Sequence, residues 1–361
     1  MSEFPDMTAR DLEGLSTIFR YYAEVETPRL DSPVYTDYSF GVSKDRELLE
    51  LCTQIERSQP APNILYASVQ DLLMQNPAAS PEAETLSAFY PAISGRPIPE
   101  TSPWEAFRAF CQVHAEQLGP SLRSGRTQTC VVNRCAVILP ALAALPRVDA
   151  NNGRVALLEI GPSAGLNLRL DRYRYEYGKG VVWGKATARP KLVCETRGDQ
   201  SPPMPDRLEV VARRGIDLNR IDLENPAEIR WLRALIWPEH SERARVMDEA
   251  LSTAKTVPIE IEEGDATREI AAHIARLPTD AARVLFASQV FYQISREGRH
   301  QILDGIASAS REQPVDLILM ESSGEGDSRI EWFSFEAGER VGRSVLARSD
   351  SHGRWIEWGA Q

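Results

Sequence analysis

The chain has 361 residues, and 41 Lys and Arg against 52 Asp and Glu give it a formal net charge of −11. Because non-specific nucleic-acid binding requires a basic face, this balance argues against nucleic acid as a partner. No apolar run approaches the length of a membrane span, and the acidic start of the chain is unlike a signal peptide. We therefore expect a cytoplasmic protein whose partner is a small molecule, with no membrane or nucleic-acid binding; composition gives no indication of oligomeric state.

The cysteines and histidines, five of each, are dispersed along the chain. They form neither C-x-x-C pairs nor H-x-x-x-H pairs, so the sequence supports neither a disulfide framework nor a metal site.

The first predicted region, residues 1–150, is helical. Apolar residues recur three and four apart in Leu48–Ile55, Ile64–Met74 and Trp104–Leu118, and prolines punctuate these segments. The stretch 146–154 is typical of a linker. We predict an all-helical N-terminal domain over 1–150 and a second domain over 151–361.

Polar residues accompany a strongly apolar helix in the segment 125–142. Arg126, Gln128, Asn133 and Arg134 lie beside this helix, and residues 128–133 cannot all face water. Buried Arg and Asn require partners. A clamp on a ligand carboxylate or phosphate would supply one, and we predict these four residues as substrate-binding. Ion pairs to acids of the second domain are the alternative.

Residues 155–165 combine an apolar strand with a turn of small residues. Val155–Ile160 contains Glu159, and Gly161, Ser163 and Gly165 follow at alternate positions before a predicted helix at Leu166–Leu170. Small residues allow close backbone approach, and a helix N-terminus favours an anionic group. The pattern E-x-G-x-S-x-G resembles the first motif of class I S-adenosylmethionine-dependent methyltransferases, with Ser163 in place of the middle glycine. A strand–helix turn that binds nothing is the alternative.

The same residues also match G-x-S-x-G, the nucleophile elbow of α/β-hydrolases. In that interpretation Ser163 is the nucleophile, and His352 with Asp327 or Asp350 completes a triad. A hydrolase also requires strands before the elbow, whereas the preceding residues are predicted to be helical.

Alternating tyrosines follow the turn in DRYRYEYG, residues 171–178. As a strand this segment has one aromatic face, which could receive a ligand, including a sulfonium by cation–π attraction. We predict Tyr173 as substrate-binding, with packing in the core as the alternative. Residues 171–207 are predicted to be an insertion that leaves the sheet and returns.

Beyond the linker, strands alternate with helices, which implies a doubly wound, mostly parallel sheet in an α/β fold of the Rossmann-like, methyltransferase type. An antiparallel hairpin from the last strand-like runs is expected at the sheet edge. The predicted strands and tail runs are Arg154–Ile160, Leu208–Arg213, Pro258–Glu263, Arg283–Val290, Val315–Glu321, Trp332–Phe335, Ser344–Ser349 and Arg354–Trp358.

Acids and polar groups after these strands are the remaining candidates. In methyltransferases an acid after the second strand binds the ribose, for which Asp217 competes with Asp222. An acid after the third strand binds adenine, which predicts Asp265 beside Ala266; an N-cap is the alternative. After the fourth strand we predict Ser288 at the cofactor and Tyr292 as the catalytic residue, with aromatic packing as the alternative.

The whole chain resembles one bacterial family, the domain-of-unknown-function family numbered 2332. The resemblance is carried by RTQTCVVNR (126–134), LLEIGPSAGLNLRLDRYRYEYG (157–178), RRGIDLNRID (213–222), WLRALIWPE (231–239) and HGRW (352–355). It implies a methyltransferase-like fold after a helical domain, without a known activity. This chain has Cys130 and Val131 where the family pattern has Asn-Glu. If that acid serves as a base in relatives, this chain lacks it. We predict Asn167, which lies inside the SAGLN block, as substrate-binding.

We therefore predict an S-adenosylmethionine-dependent methyltransferase that acts on an unidentified small molecule, anionic if Arg126 and Arg134 bind it. The alternatives are a non-catalytic ligand-binding protein on the same scaffold, an α/β enzyme with another cofactor, and an α/β hydrolase that uses Ser163.

Overall fold

The computed structural model describes residues 5–324 and 326–360. Its chain forms two compact units, one from the residues up to Thr129 together with Leu223–Arg245, the other from Cys130–Asp222 and the residues from Val246 onward. The predicted boundary at 150 differs from this division. The helix Cys135–Ala143 is apolar on every side and packs on strands of the sheet, so it belongs with them.

The helical unit confirms the helical character predicted for the N-terminal region. It is built from short helices, several with Pro in the first turn and Asp or Ser as N-cap. They are α1 (Leu12–Tyr21), α2 (Thr27–Arg29), α3 (Pro33–Val42), α4 (Arg46–Cys52), α5 (Ala61–Gln75), α6 (Pro81–Ser87), α7 (Pro91–Ser94), α8 (Trp104–Val113) and α9 (Ala115–Ser124), with a π-helical turn at Tyr22–Glu26.

Aromatic rings fill the core of this unit. Tyr35, Tyr38 and Tyr66 are buried, and Tyr38 stacks on Phe107 with ring centroids 3.9 Å apart. A later helix, Pro226–Ala234, packs on α5, which is why residues 223–245 join this unit.

The other helices of the chain, in order, are α10 (Cys135–Ala143), α11 (Pro146–Ala150), α12 (Pro226–Ala234), α13 (Ser241–Ala254), α14 (Ala266–Ala275) and α15 (Arg296–Ala309). The strands, all in the second unit, are β1 (Arg154–Ile160), β2 (Arg174–Tyr177), β3 (Val182–Trp183), β4 (Lys191–Arg197), β5 (Glu209–Asp217), β6 (Glu260–Glu263), β7 (Ala282–Ser288), β8 (Val315–Ser322), β9 (Ser328–Glu336), β10 (Glu339–Ser349) and β11 (Trp355–Trp358).

These strands make one mostly parallel sheet of 11 strands in the order β3-β2-β4-β11-β10-β9-β8-β7-β1-β5-β6. The run from β6 through β5, β1 and β7 to β8 is parallel, and β9, β10 and β11 continue it antiparallel. The predicted mixed α/β class is thus confirmed. Strands β1 and β7 lie in the middle of the parallel run, and their apolar sequences are buried along nearly their whole length.

Two expectations about the sheet were wrong. The insertion at 171–207 does not leave the sheet, because β2 and β4 pair in parallel and β4 pairs with β11. The hairpin of β9 and β10 is therefore internal, since strands flank it on both sides, and β3 occupies the edge. An edge strand of two residues leaves few unpaired backbone groups for association with another sheet.

Candidate functional site

The sheet reverses its winding between β1 and β7. After β1 the chain first forms β2, β3 and β4 at the far end of the sheet. It then adds β5 and β6 on one side of β1, and β7 and β8 on the other side. In open parallel sheets, ligands bind outside the carboxyl ends of the strands at this point. Here the carboxyl ends carry the turn Gly161–Gly165 after β1 and the residues 289–293 after β7, so we call this region the switch-point site.

Hydrogen bonds fix the turn after β1. The Gly161 amide donates to the Ile216 carbonyl at 2.9 Å and the Gly165 amide to the Pro162 carbonyl at 2.7 Å. The Ser163 amide donates to Asp217 Oδ2 at 2.7 Å. The carboxylate at the end of β5 thereby holds the centre of the turn, which places the predicted residues Gly161, Ser163, Gly165 and Asp217 together.

The segment after this turn differs from its prediction. Residues 167–172 form a 3₁₀-helix that is kinked at Arg169, instead of an α-helix over 166–170. The guanidinium of Arg169 is buried and donates to the carbonyls of Gly165, Ala254 and Val257. A short kinked helix supplies a weaker dipole than the predicted one, so anion binding at its N-terminus loses its support.

The backbone adopts left-handed conformations on both sides of the switch point. Ser163 has φ +54° and Gln289 has φ +59°. Non-glycine residues with such φ values carry strain that surrounding contacts must offset, and they cluster at binding and catalytic sites. The Gln289 amide donates to the Met320 carbonyl at 2.8 Å, and its side chain donates to Ser328 Oγ at 2.7 Å.

Glu159 is the buried acid of the site, with an exposed fraction of 1%. Its Oε1 accepts a hydrogen bond from Asn167 Nδ2 at 3.3 Å, whereas its Oε2 has no hydrogen-bond partner among the described residues. Burial raises the pKa of Glu159 to about 8, and the nearby Asp217 carboxylate adds to this rise. The side chain is therefore mostly protonated at neutral pH. A buried polar atom without a partner is unusual in a folded protein and marks a place where a ligand group can bond.

Arg134 is the buried cationic side chain of the site. It is 8% exposed; its Nη1 donates to the Ser288 carbonyl at 3.1 Å and its Nε to the Ser351 carbonyl at 3.0 Å. No carboxylate of the described residues lies within ion-pair distance of it, although it interacts electrostatically with Tyr292, Glu321 and Glu159. Burial lowers the pKa of this guanidinium because the charged form loses hydration.

The loop after β7 is held by Glu321, at the end of β8. Its Oε1 accepts from the amides of Val290 and Phe291, each at 2.9 Å, and its Oε2 from the Tyr292 amide at 3.3 Å. Tyr292 is 61% exposed, so the predicted catalytic residue is accessible after the carboxyl end of β7. Ser288, also predicted, is buried there and contributes its carbonyl to Arg134.

The other predicted residues of this unit have structural partners. Asp265 caps α14 by accepting from Thr267, whose hydrogen bonds lower the pKa of the carboxyl, and Ala266 is the first residue of that helix. Asn133 donates to the carbonyls of Val193 and Gly353. Tyr173 is fully buried and its hydroxyl donates to the Leu166 carbonyl, so the structure places it in the core rather than on a ligand-facing surface.

Arg126 and Gln128 lie in the helical unit, whereas Arg134 lies in the sheet unit. Arg126 forms an ion pair with Glu56 of its own unit, and its carbonyl accepts from the Trp231 indole at 2.9 Å. The ion pair that we considered for Arg126, to an acid of the second domain, is therefore replaced by one within the helical unit.

Sequence reasoning missed two groups, Glu321 and Arg169. Glu321 ends an apolar strand in the same way as Glu159, so the rule that polar residues at strand ends mark a site would have found it. Arg169 had no such signal, because its partners are backbone carbonyls distant in sequence.

The side-chain clusters of the described residues bear on the other chemistries considered. Within 5–324 and 326–360, no group of three or more His, Cys, Asp and Glu is arranged to hold a metal ion. In the same residues Ser163 Oγ has no hydrogen-bond partner, so no histidine lies within hydrogen-bond distance of it. Among the described helices, none combines the length and apolar composition that crossing a membrane requires.

The comparisons with known proteins give a family and nothing further. The model of a family described as an uncharacterized protein conserved in bacteria (DUF2332) matches residues 16–358. The chain therefore belongs to this family, which confirms the resemblance found in its motifs. No curated protein and no solved structure matches the chain.

Proposed function

We propose that this protein is an S-adenosylmethionine-dependent methyltransferase that binds its cofactor at the switch-point site. One observation carries the proposal. Glu159 and Asp217, at the carboxyl ends of the adjacent strands β1 and β5, flank the small-residue turn. The parallel run is β6-β5-β1-β7-β8, and when these five strands are numbered among themselves in chain order, their order in the sheet is 3-2-1-4-5. That order is the one of doubly wound nucleotide-binding folds, in which the first turn holds the cofactor.

The chemistry of these side chains fits the cofactor. S-adenosylmethionine carries an α-ammonium and a ribose diol, both hydrogen-bond donors that carboxylates accept well. Glu159 Oε2 has no partner among the described residues, and Asp217 lies beside the turn, where its oxygens accept from the amides of Ser163 and Asn219. A cation beside Glu159 would favour its ionised form, so the loss of its proton would accompany binding.

The reaction would need little acid–base chemistry. S-adenosylmethionine supplies an electrophilic methyl group, and a nucleophilic atom of the acceptor displaces the sulfur directly. Alignment of the reacting atoms then provides most of the acceleration, with at most a modest base. Tyr292, exposed on the loop that Glu321 holds, would orient the acceptor.

Titration calorimetry tests cofactor binding. We expect S-adenosylmethionine and S-adenosylhomocysteine to bind the native protein and to stabilise it by about 2.7 kcal/mol at a hundredfold excess over Kd. Glu159→Gln should weaken binding, because the neutral amide cannot pair with an ammonium. Asp316→Asn is the matched control, since Asp316 is equally buried and also has an oxygen without a partner among the described residues, but lies near the amino end of β8. Absence of both heat and thermal shift at millimolar ligand would rule the proposal out.

A pair of variants tests the chemistry. We expect Tyr292→Phe to lower turnover moderately, about tenfold, because only an orienting group is lost. Ser163→Ala should keep measurable methyl transfer. Transfer is followed with radiolabelled S-adenosylmethionine and a metabolite extract, and both variants are also assayed with activated esters. Wild-type esterase activity that disappears in Ser163→Ala would establish the hydrolase instead. Cofactor binding without transfer to any acceptor would favour the non-catalytic alternative.

A further inference from the structure

We propose that Arg134 is the receptor for a ligand carboxylate at the switch-point site. The inference rests on the proposed function for the identity of the ligand, and on the geometry of Arg134 for its chemistry. The guanidinium lies at the carboxyl end of β7, where its Nη1 donates to the Ser288 carbonyl. A carboxylate bound there would belong either to the methionyl part of the cofactor or to the methyl acceptor.

The geometry of Arg134 leaves part of its guanidinium available to a ligand. A guanidinium has five N–H donors. Those of Arg134 that bond within the protein, from Nε and Nη1, point to the carbonyls of Ser351 and Ser288, which fixes the plane of the group. Its Nη2 donates to no described residue. Arg169, by contrast, donates to carbonyls from all three nitrogens. Arg134 is therefore held in place with bonding capacity left, as a carboxylate-binding arginine requires.

The charges around Arg134 also favour an anionic ligand. Its acidic neighbours are Glu321 and Glu159. Glu321 uses its two oxygens on three backbone amides of the loop after β7. The pKa of Glu159, about 8 because of burial, leaves that side chain mostly uncharged at neutral pH. The buried positive charge of Arg134 thus lacks a paired negative charge within the described residues, and burial of such a charge is costly unless a ligand completes the pair.

The experiment compares two ligands on variants of Arg134. Arg134→Lys keeps the charge and loses the planar fork, and Arg134→Met removes the charge. Affinities are measured by calorimetry for S-adenosylhomocysteine, which has a carboxylate, and for 5′-methylthioadenosine, which has none. Arg283→Lys is the matched control, because Arg283 is 4% exposed and donates to the Leu277 and Pro278 carbonyls near the amino end of β7.

If the carboxylate is that of the cofactor, both Arg134 variants should weaken S-adenosylhomocysteine binding at least about tenfold and leave 5′-methylthioadenosine unchanged. If it is that of the acceptor, S-adenosylhomocysteine affinity should stay constant. Acetate, benzoate and glutarate, added at saturating S-adenosylhomocysteine, should then raise the Tm of the wild type and of Arg283→Lys but not of the Arg134 variants.

The inference is overturned if neither the nucleoside affinities nor the carboxylate shifts depend on Arg134. Failure of the proposed function is a separate result, in which the wild type binds neither nucleoside. The carboxylate panel, repeated without nucleoside, then decides the role of Arg134 by itself.

Discussion

Gly165→Val should unfold the sheet unit at markedly lower denaturant concentration than the wild type. Gly165 has φ +64°, and a Cβ added there would lie 2.2 Å from Ile259 Cδ1 and 2.8 Å from Ile261 Cδ1. The left-handed conformation costs a β-branched residue about 1–3 kcal/mol, and overpacking of a tight contact costs about 1–3 kcal/mol more. Urea unfolding followed by circular dichroism measures the sum.

Gly180→Val is the matched control for that variant. Gly180 also has a left-handed φ, +77°, but a Cβ added there meets no atom within 4 Å. Gly180→Val should therefore be destabilised only by the cost of holding a β-branched residue in the left-handed conformation. Equal unfolding midpoints for the two variants would show that the contact with Ile259 and Ile261 does not matter. This comparison also means that loss of ligand binding in Gly165→Val cannot be assigned to blocked backbone approach.

Glu159→Gln should become more stable relative to the wild type as pH rises from about 5 to about 8. The folded wild type holds a proton on Glu159 because burial raises its pKa from 4.5 to about 8, whereas the unfolded chain has released that proton above its ordinary pKa. Folding therefore takes up a proton in this window. The stability that this carboxyl contributes is full below its ordinary pKa and is lost as pH rises through the folded value.

The size of this stability difference follows from the rise in the pKa of Glu159. Each unit of pKa difference corresponds to about 1.4 kcal/mol, so the free energies of unfolding of the two proteins should diverge by as much as about 4 kcal/mol. Urea titrations at several pH values measure it, with Glu84→Gln on the exposed face of α6 as the control. If the Glu159→Gln and wild-type curves run parallel across the window, the carboxyl is ionised in the folded protein and the assignment is wrong.

Local patterns predicted much of this molecule. The helical N-terminal region followed from apolar spacing of three and four, and the parallel strands followed from short apolar runs between turn residues. Glu159 was predicted from the apolar run that contains it, and Asp217, in competition with Asp222, from its position after the second predicted strand. These signals depend only on neighbouring residues, so one sequence is sufficient to read them.

Features that depend on distant pairing were not predictable in this way. Nothing in residues 171–207 indicates that β4 pairs with β11, because the pairing joins segments far apart in the chain. The segment 125–142 likewise does not reveal that Arg126 and Arg134 belong to different units. The side chains that lie against the turn glycines were not predictable either. Val290 lies beside Gly161 and Ile259 beside Gly165, and both come from segments distant in the chain.

The position of β11 between β4 and β10 has a consequence for how the molecule is assembled during translation. Strands β2, β3 and β4 join the rest of the sheet through β11, which the ribosome adds only after residues 198–354. Until then β4 presents an open edge, although the central strands can already pair. Because such open edges associate with other chains, the nascent chain should depend most on chaperones in that interval.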